Sequence, residues 1–124
     1  MNAFISYATQ EKHWGANVRV VLAELGLTPF LAHDDTAVSQ QWQKRIQEEL
    51  GKATVFVALL SKAYRESDWC SQETGWIASR SEVIIIPLSI DDTNPFGFIS
   101  HIQARRIRSD GDVNIALTEV LLPV

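Results

Sequence analysis

Two nearly unbroken apolar runs of strand length, residues 53–60 and 83–90, constrain the fold of this chain more than any other feature of its sequence. A strand that is apolar on both faces must be covered on both faces, as happens in a parallel sheet between two layers of helices. Around these runs, apolar side chains recur at helical spacing, so strands and helices alternate. We therefore predict an α/β fold.

Shorter segments complete the alternating order of elements. Strands are predicted at residues 3–6, 27–32 and 105–108, helices at about residues 10–25, 40–50, 68–79 and 113–121, and a short helical turn within residues 61–67. Pro29 cannot donate to a ladder and places its strand at a sheet edge. Gly26 and Gly51 mark the ends of the first two helices, and Ser39 and Asp68 are suited to cap helices. The pattern predicts a flavodoxin-like three-layer fold, with a five-stranded, mostly parallel sheet flanked by helices.

Length and composition indicate the number of domains and exclude some kinds of partner. The 124 residues, 46% of them hydrophobic, suffice for one core, so we expect a single domain over residues 1–124. A formal net charge of -4 argues against nucleic-acid binding, and the basic cluster Arg105, Arg106 and Arg108 is interpreted first as a solvated strand edge. No apolar run is long enough to span a membrane. The lone cysteine, Cys70, fits a reducing, cytoplasmic setting.

Several enzyme classes with a similar layout lack their reactive parts here. A phosphorelay receiver needs an acidic pair after the first strand and an aspartate after the third, where this chain has Ser6, Tyr7 and Ser61. There is no dinucleotide-binding glycine motif, no Walker A loop and no nucleophile elbow. Metal binding at His33 and its two aspartate neighbours is a weaker interpretation than a solvated loop, so no metal site is predicted.

Ligands of such sheets bind beyond the carboxyl ends of the strands. In the helix after the third strand, Trp69 and Glu73 lie four residues apart and so project from one helical face. An indole beside a carboxylate suits a cationic aromatic substrate, because the ring stacks and the carboxylate stabilises positive charge. The alternative is structural: a glutamate that complements the helix dipole and a tryptophan that belongs to the core. Spacing alone favours the structural interpretation.

Two motifs resemble those of Toll/interleukin-1 receptor (TIR) domains. Phe4-Ile5-Ser6-Tyr7 looks like the first signature box of that family, and the order of segments is similar over some ninety residues, to Ile90. The segment from Asp68 to Glu73 resembles the aromatic-Cys-x-x-Glu motif of NAD-cleaving bacterial members. The resemblance implies that Glu73 is the catalytic carboxylate and that Trp69 forms a wall of the nicotinamide pocket. NAD+ would then be the substrate, with no separate cofactor and no metal.

The resemblance also assigns the surroundings of the pocket. The family's BB loop, which gates the pocket and mediates self-association, corresponds to His33, Asp34, Asp35, Thr36, Ala37, Val38 and Ser39. Residues implied to line the pocket from the first strand and its loop are Ser6, Tyr7, Ala8 and Thr9. Trp42 matches a position that stacks on substrate, with a core tryptophan as the alternative. Cys70 is expected to pack rather than to act as a nucleophile.

Two departures from the family pattern are visible. Many members have a glycine late in the BB loop, where this chain has Ser39-Gln40. Some enzymatic members place arginines after the first strand, and Ala8-Thr9-Gln10 supplies no positive charge for a diphosphate. Backbone amides or a neighbouring subunit would have to hold that group.

The resemblance implies an NAD+ glycohydrolase that releases nicotinamide together with ADP-ribose or a cyclic ADP-ribose isomer. It further implies activation by self-association with other TIR domains and a role in bacterial antiphage immunity. The alternative is a non-enzymatic TIR scaffold. The two differ in one structural expectation: an enzyme places the Glu73 carboxyl in a cleft beside an indole, whereas a scaffold leaves it in bulk solvent.

Overall fold

The computed structural model describes residues 1–31 and 40–122. Its strands are β1 (Asn2–Ser6), β2 (Thr28–Leu31), β3 (Val55–Leu60), β4 (Ile84–Ser89) and β5 (Arg105–Arg106). Its helices are α1 (Lys12–Glu24), α2 (Gln40–Lys52), α3 (Lys62–Glu66), α4 (Asp68–Ala78) and α5 (Asp110–Leu121). Short 3-10 turns cover Thr9–Glu11 and Gly97–Ile99. The alternation predicted from the sequence is confirmed.

The described strands form one five-stranded sheet in the order β2-β1-β3-β4-β5, and every neighbouring pair is parallel. This is the predicted flavodoxin-like arrangement. Pro29 lies on β2 at the edge of the sheet, as expected for a residue without an amide hydrogen. All six residues of β3, the central strand, are buried, which confirms that helices cover both faces.

Two apolar clusters flank the sheet. The first lies between the sheet and helices α1 and α5, and it includes Ile5, Val18, Leu22, Val57, Val113 and Leu117. The second lies under α2, α3 and α4, and it includes Phe4, Ile46, Leu50, Phe56, Tyr64, Cys70 and Ile77. Successive strand residues face opposite sides. In β1, therefore, Phe4 and Ser6 face the α2–α4 side, whereas Ile5 faces the α1–α5 side.

The boundaries of two helices and one strand differ from the sequence predictions. Asp68 was predicted to cap α4, but Ser67 is the N-cap, because its hydroxyl accepts from the Cys70 amide at 3.2 Å. Gly51 does not end α2, which continues to Lys52. At the end of α2, the Arg80 guanidinium donates hydrogen bonds to the Leu50 and Ala53 carbonyls. The predicted last strand, residues 105–108, shortens to Arg105–Arg106.

Two other residues, Gly26 and Ser39, were also predicted to mark the ends of helices. Gly26 follows α1 with φ of 92°, which confirms the predicted left-handed end of that helix. Ser39, the expected cap of α2, lies outside the described residues.

The Ser67 cap gives a first testable prediction. Ser67→Ala removes the acceptor of the Cys70 amide and is expected to lower the free energy of unfolding by about 1 kcal/mol in urea denaturation. Asp68→Asn, which removes an exposed charge from the first turn, is expected to cost only a few tenths of a kcal/mol. Equal losses, or a larger loss in the Asp68 variant, would restore Asp68 as the cap.

Candidate functional site

Glu73 is the central residue of the site. It lies in the second turn of α4, and its side chain points to the carboxyl end of β1, where Ser6 faces the same side of the sheet. The Ser6 hydroxyl lies 2.7 Å from Glu73 Oε1 and donates to it when the carboxylate is ionised. Only 3% of Glu73 is exposed, so this glutamate is not a solvated helix-start residue.

Buried hydroxyls continue from Ser6 in a chain of contacts. Ser6 Oγ lies 2.9 Å from Tyr64 Oη, and Tyr64 Oη lies 2.8 Å from Thr74 Oγ1. Thr74 Oγ1 donates to the Cys70 carbonyl at 2.9 Å. We refer to Ser6, Tyr64 and Thr74 as the hydroxyl chain. It connects β1, α3 and α4 beneath the carboxyl of Glu73.

Burial dominates the electrostatics of the carboxyl. It raises the pKa of Glu73 from 4.5 to about 8, opposed by the Ser6 hydroxyl and then by the Trp69 indole, which both favour the ionised form. Glu73 Oε2 is buried without a hydrogen-bond partner in the described part of the chain. Burial also raises the pKa of the Cys70 thiol to about 12, which fits a packing residue better than a nucleophile.

A cleft of about 170 Å³ opens between α2 and α4 beside this carboxyl. Its lining combines two indoles, three amides, two aliphatic side chains and the carboxyl: Trp69, Trp76, Gln43, Gln47, Gln72, Ile46, Leu50 and Glu73. Both indoles are partly exposed, by 37% for Trp69 and 43% for Trp76. An aromatic ring that carries a carboxamide matches this lining, because the ring can lie on indole and the amide can pair with glutamine.

Some of the other predicted site residues lie next to Glu73, and others do not. Ser6 and Trp69 lie next to Glu73, as expected from the sequence. Tyr7 belongs to the apolar cluster on the α1–α5 side, so its ring packs on the opposite face of the sheet from Glu73. Ala8 is buried and Thr9 is exposed in the 3-10 turn after β1. The seven BB-loop residues, 33–39, lie outside the described residues.

Trp42 occupies the first turn of α2. It is half-buried, packs against the α2–α4 cluster, and its ring centroid lies 6.0 Å from that of Phe30. This contact gives it a packing role, and its stacking on a substrate stays a prediction.

Sequence reasoning missed Tyr64, Thr74 and Trp76. Trp76 follows Glu73 by three residues and Trp69 by seven, so helical spacing alone places all three on one face. Thr74 and Tyr64 carry no such signal. Their hydroxyls meet Ser6 only because α3 and α4 pack on the carboxyl end of β1.

Two further properties concern residues 1–31 and 40–122. None of their helices is long and apolar enough to cross a membrane. Within the same residues, no three histidine, cysteine or acidic side chains gather as a metal ion would require. The weak metal hypothesis at His33 and its two aspartate neighbours falls outside these ranges.

The raised pKa of Glu73 predicts a pH dependence of stability. The folded chain keeps a proton that the unfolded chain releases between about pH 4.5 and about pH 8. The stability that this proton provides is therefore complete below pH 4.5 and is lost as pH rises towards 8. Glu73→Gln mimics the neutral acid at every pH. Urea denaturation from about pH 5 to about pH 8 should show the wild type losing stability relative to the variant, by up to about 1.4 kcal/mol per pH unit. Parallel curves would mean an ionised Glu73 in the folded state.

Comparison with known proteins finds one matching family model and several similar solved structures. The family model described as TIR domain matches residues 3–121. The structure is similar to the TIR domain of the Toll-related receptor TRR-2 from Hydra magnipapillata, with a TM-score of 0.74 and 17% identity over 97% of this chain and 94% of that chain. A search of curated proteins found no match.

Two other solved structures share the fold. The TIR domains of the activated Roq1 resistosome, which directly recognizes the pathogen effector XopQ, match with a TM-score of 0.59 and 23% identity over 74% of this chain and 58% of that chain. The CMP N-glycosidase BcmB of Clostridium botulinum matches with a TM-score of 0.64 and 14% identity over 94% of this chain and 98% of that chain.

Proposed function

We propose that this chain is an NAD+ glycohydrolase of the bacterial type. The premise is that the chain belongs to the TIR domain family, whose model matches residues 3–121. The chain would cleave the bond between nicotinamide and ribose, with Glu73 as the catalytic carboxylate. The products would be nicotinamide and ADP-ribose or a cyclic ADP-ribose isomer.

The position of the Glu73 carboxyl carries this proposal. Glu73 is only 3% exposed, borders the cleft between α2 and α4, and shares that cleft with the indoles of Trp69 and Trp76. A TIR domain that only recruits partners has no need for a buried carboxyl, which costs free energy unless it is paired or neutral. Buried carboxyls with a raised pKa beside a cleft are typical of functional sites.

Catalysis follows from the charge of the substrate. As the glycosidic bond breaks, its electron pair moves to the ring nitrogen, so the pyridinium becomes neutral nicotinamide and the ribose carbon becomes an oxocarbenium-like cation. An ionised Glu73 stabilises that cation and holds the ribose hydroxyls, as a glycosidase carboxylate does. Water then adds to the ribose carbon and releases a proton. No general acid is needed, because the leaving group departs uncharged.

The lining of the cleft supports recognition of the nicotinamide half. Trp69 and Trp76 offer ring faces, and Gln43, Gln47 and Gln72 offer amides that can pair with a carboxamide. At about 170 Å³, the cleft is smaller than the roughly 300 Å³ at which sites for whole ligands begin. The remainder of NAD+ would therefore lie outside the described cleft.

Assembly would complete the site. The segment Ala8-Thr9-Gln10 after β1 has no positive charge for a diphosphate, so a second copy of the domain would contribute to holding it. Residues 33–39 would mediate that self-association. The biological setting would be bacterial antiphage immunity, in which assembled domains deplete NAD+ or make a signal nucleotide.

Release of nicotinamide from NAD+ by the concentrated, artificially clustered chain tests the proposal. CMP serves as a parallel substrate, because the solved structure of a CMP N-glycosidase shares this fold. Release of nicotinamide only above the concentration at which the chain assembles is the expected result. If a demonstrably assembled chain releases none, the chain is a non-enzymatic TIR scaffold. Release of cytosine from CMP without cleavage of NAD+ would assign a different N-glycosidase activity.

A further inference from the structure

The hydroxyl chain makes more hydrogen-bonding contacts than its three hydroxyl groups have hydrogens to donate. Four oxygen-to-oxygen contacts join its members to their neighbours: Glu73 Oε1 to Ser6 Oγ, Ser6 Oγ to Tyr64 Oη, Tyr64 Oη to Thr74 Oγ1, and Thr74 Oγ1 to the Cys70 carbonyl. Each needs one hydrogen, since a hydrogen bond joins one donor to one acceptor. The three hydroxyls supply only three.

An ionised Glu73 therefore leaves one contact without a hydrogen. Ser6 would donate to the carboxylate and Thr74 to the Cys70 carbonyl. Tyr64 has a single hydrogen and could serve either Ser6 or Thr74, so two oxygens would face each other at 2.8 or 2.9 Å without one. Unpaired buried oxygens at such distances are costly.

A neutral Glu73 removes the shortage. With a proton on Oε1, Glu73 donates to Ser6, Ser6 to Tyr64, Tyr64 to Thr74, and Thr74 to the Cys70 carbonyl, so four hydrogens serve four contacts. Glu73 Oε2 is an independent observation, because it is buried without a hydrogen-bond partner in the described part of the chain, so no hydrogen bond at that oxygen stabilises a negative charge. Burial raises the pKa of Glu73 and so favours the neutral acid as well.

Burial by itself favours a neutral Glu73, but no described charged group that faces the carboxyl does so. Of the described titratable side chains, those coupled to its carboxyl are Tyr64 from α3 and Cys70 from α4. Burial raises the pKa of both, so both are uncharged near neutral pH. The strand β1 contributes Ser6, and α2 contributes amides and aliphatic groups to the cleft.

We propose that Tyr64 is a positioning residue which, through Ser6, holds Glu73 as a neutral acid. Ionisation of Glu73 then requires the hydroxyl chain to rearrange, so the carboxylate that the reaction needs forms only together with that rearrangement. The catalytic meaning of this inference rests on the proposed function, whereas the count of hydrogens does not.

Without the Tyr64 hydroxyl, the number of hydrogens matches the number of contacts when Glu73 is ionised and not when it is neutral. In Tyr64→Phe, Ser6 donates to the carboxylate and Thr74 donates to the Cys70 carbonyl, so two hydrogens serve two contacts with Glu73 ionised. The neutral acid now has one hydrogen too many. Loss of a buried tyrosine hydroxyl is therefore expected to lower the pKa of Glu73 by about one unit or more.

Thr74 offers a matched pair of variants. Thr74→Val deletes the acceptor of the Tyr64 hydrogen, so Tyr64 turns to Ser6 and Ser6 to an ionised Glu73, which again lowers the pKa. Thr74→Ser keeps the hydroxyl and is expected to retain the wild-type pKa.

The direct test is NMR titration of glutamate labelled with carbon-13 at the side-chain carboxyl, with Glu73 assigned by its absence in Glu73→Gln. A lower pKa in Tyr64→Phe and Thr74→Val, with Thr74→Ser unchanged, supports the proposal. An unchanged or higher pKa in Tyr64→Phe overturns it, because Tyr64 would then favour the ionised form or have no influence.

Activity provides a second readout. The pH at which NAD+ cleavage is half-maximal is expected to fall in Tyr64→Phe by the same amount as the pKa that NMR measures, and an unshifted profile beside a shifted pKa would overturn the catalytic role of the hydroxyl chain. If the wild type cleaves no NAD+, the proposed function fails while the titration still decides the protonation of Glu73.

Discussion

Glu73→Gln is expected to lower the rate of nicotinamide release from NAD+ by about a thousandfold, the loss typical of removing one charge-stabilising group from an enzyme site. Glutamine keeps the size of the side chain but cannot carry the negative charge that stabilises the oxocarbenium-like transition state. The measurement is the turnover of clustered wild type and variant at saturating NAD+. Because glutamine mimics the neutral acid, the variant should fold at least as stably as the wild type near neutral pH.

A matched variant separates this effect from a change of net charge. Glu66→Gln makes the same substitution at an exposed position on α3, and it should retain wild-type turnover. Comparable losses in both variants would point to a general electrostatic effect. Retained turnover in Glu73→Gln would remove Glu73 from the chemistry altogether.

Phe56→Ala is expected to destabilise the chain by about 3–5 kcal/mol, the usual cost of deleting a fully buried aromatic ring. Phe56 is the second residue of β3 and has no exposed surface, and its ring stacks on that of Phe4 with a centroid distance of 5.6 Å and an interplanar angle of 10°. Truncation would leave a cavity between the sheet and the α2–α4 layer. Urea denaturation at one pH gives the free energies of unfolding.

Phe98→Ala is the matched control for that loss. Phe98 is 76% exposed in the 3-10 turn Gly97–Ile99, so the same truncation should change stability by no more than about 0.5 kcal/mol. Similar effects at the two positions would mean that Phe56 is not part of the packed interior.

The fold could be predicted from local patterns because each pattern has a single structural outcome. The apolar runs around β3 and β4 require cover on both faces, Pro29 requires an edge strand, and Gly26 permits a left-handed helix end. Boundaries were less predictable where tertiary contacts decide them. The end of α2 depends on the guanidinium of Arg80, which is distant in sequence from the carbonyls that it binds.

The site could be predicted in part. Helical spacing brought Trp69 and Glu73 together, and the resemblance to TIR domains assigned Glu73 a role. Strand alternation was available to show that Ser6 and Tyr7 face opposite sides of the sheet. The protonation of Glu73 was not predictable, because it depends on hydroxyls from three elements, and Ser6 and Tyr64 lie 58 residues apart in the chain.

Cys70 has a practical consequence for observing this site in solution. It is the single cysteine of the chain, it is buried beside Thr74 at the start of α4, and burial raises its pKa to about 12. An alkylating reagent needs both access and the thiolate, so the native chain should react only during transient separation of α4 from the sheet. The rate of alkylation relative to that of the unfolded chain therefore measures how often this layer detaches, without any introduced label.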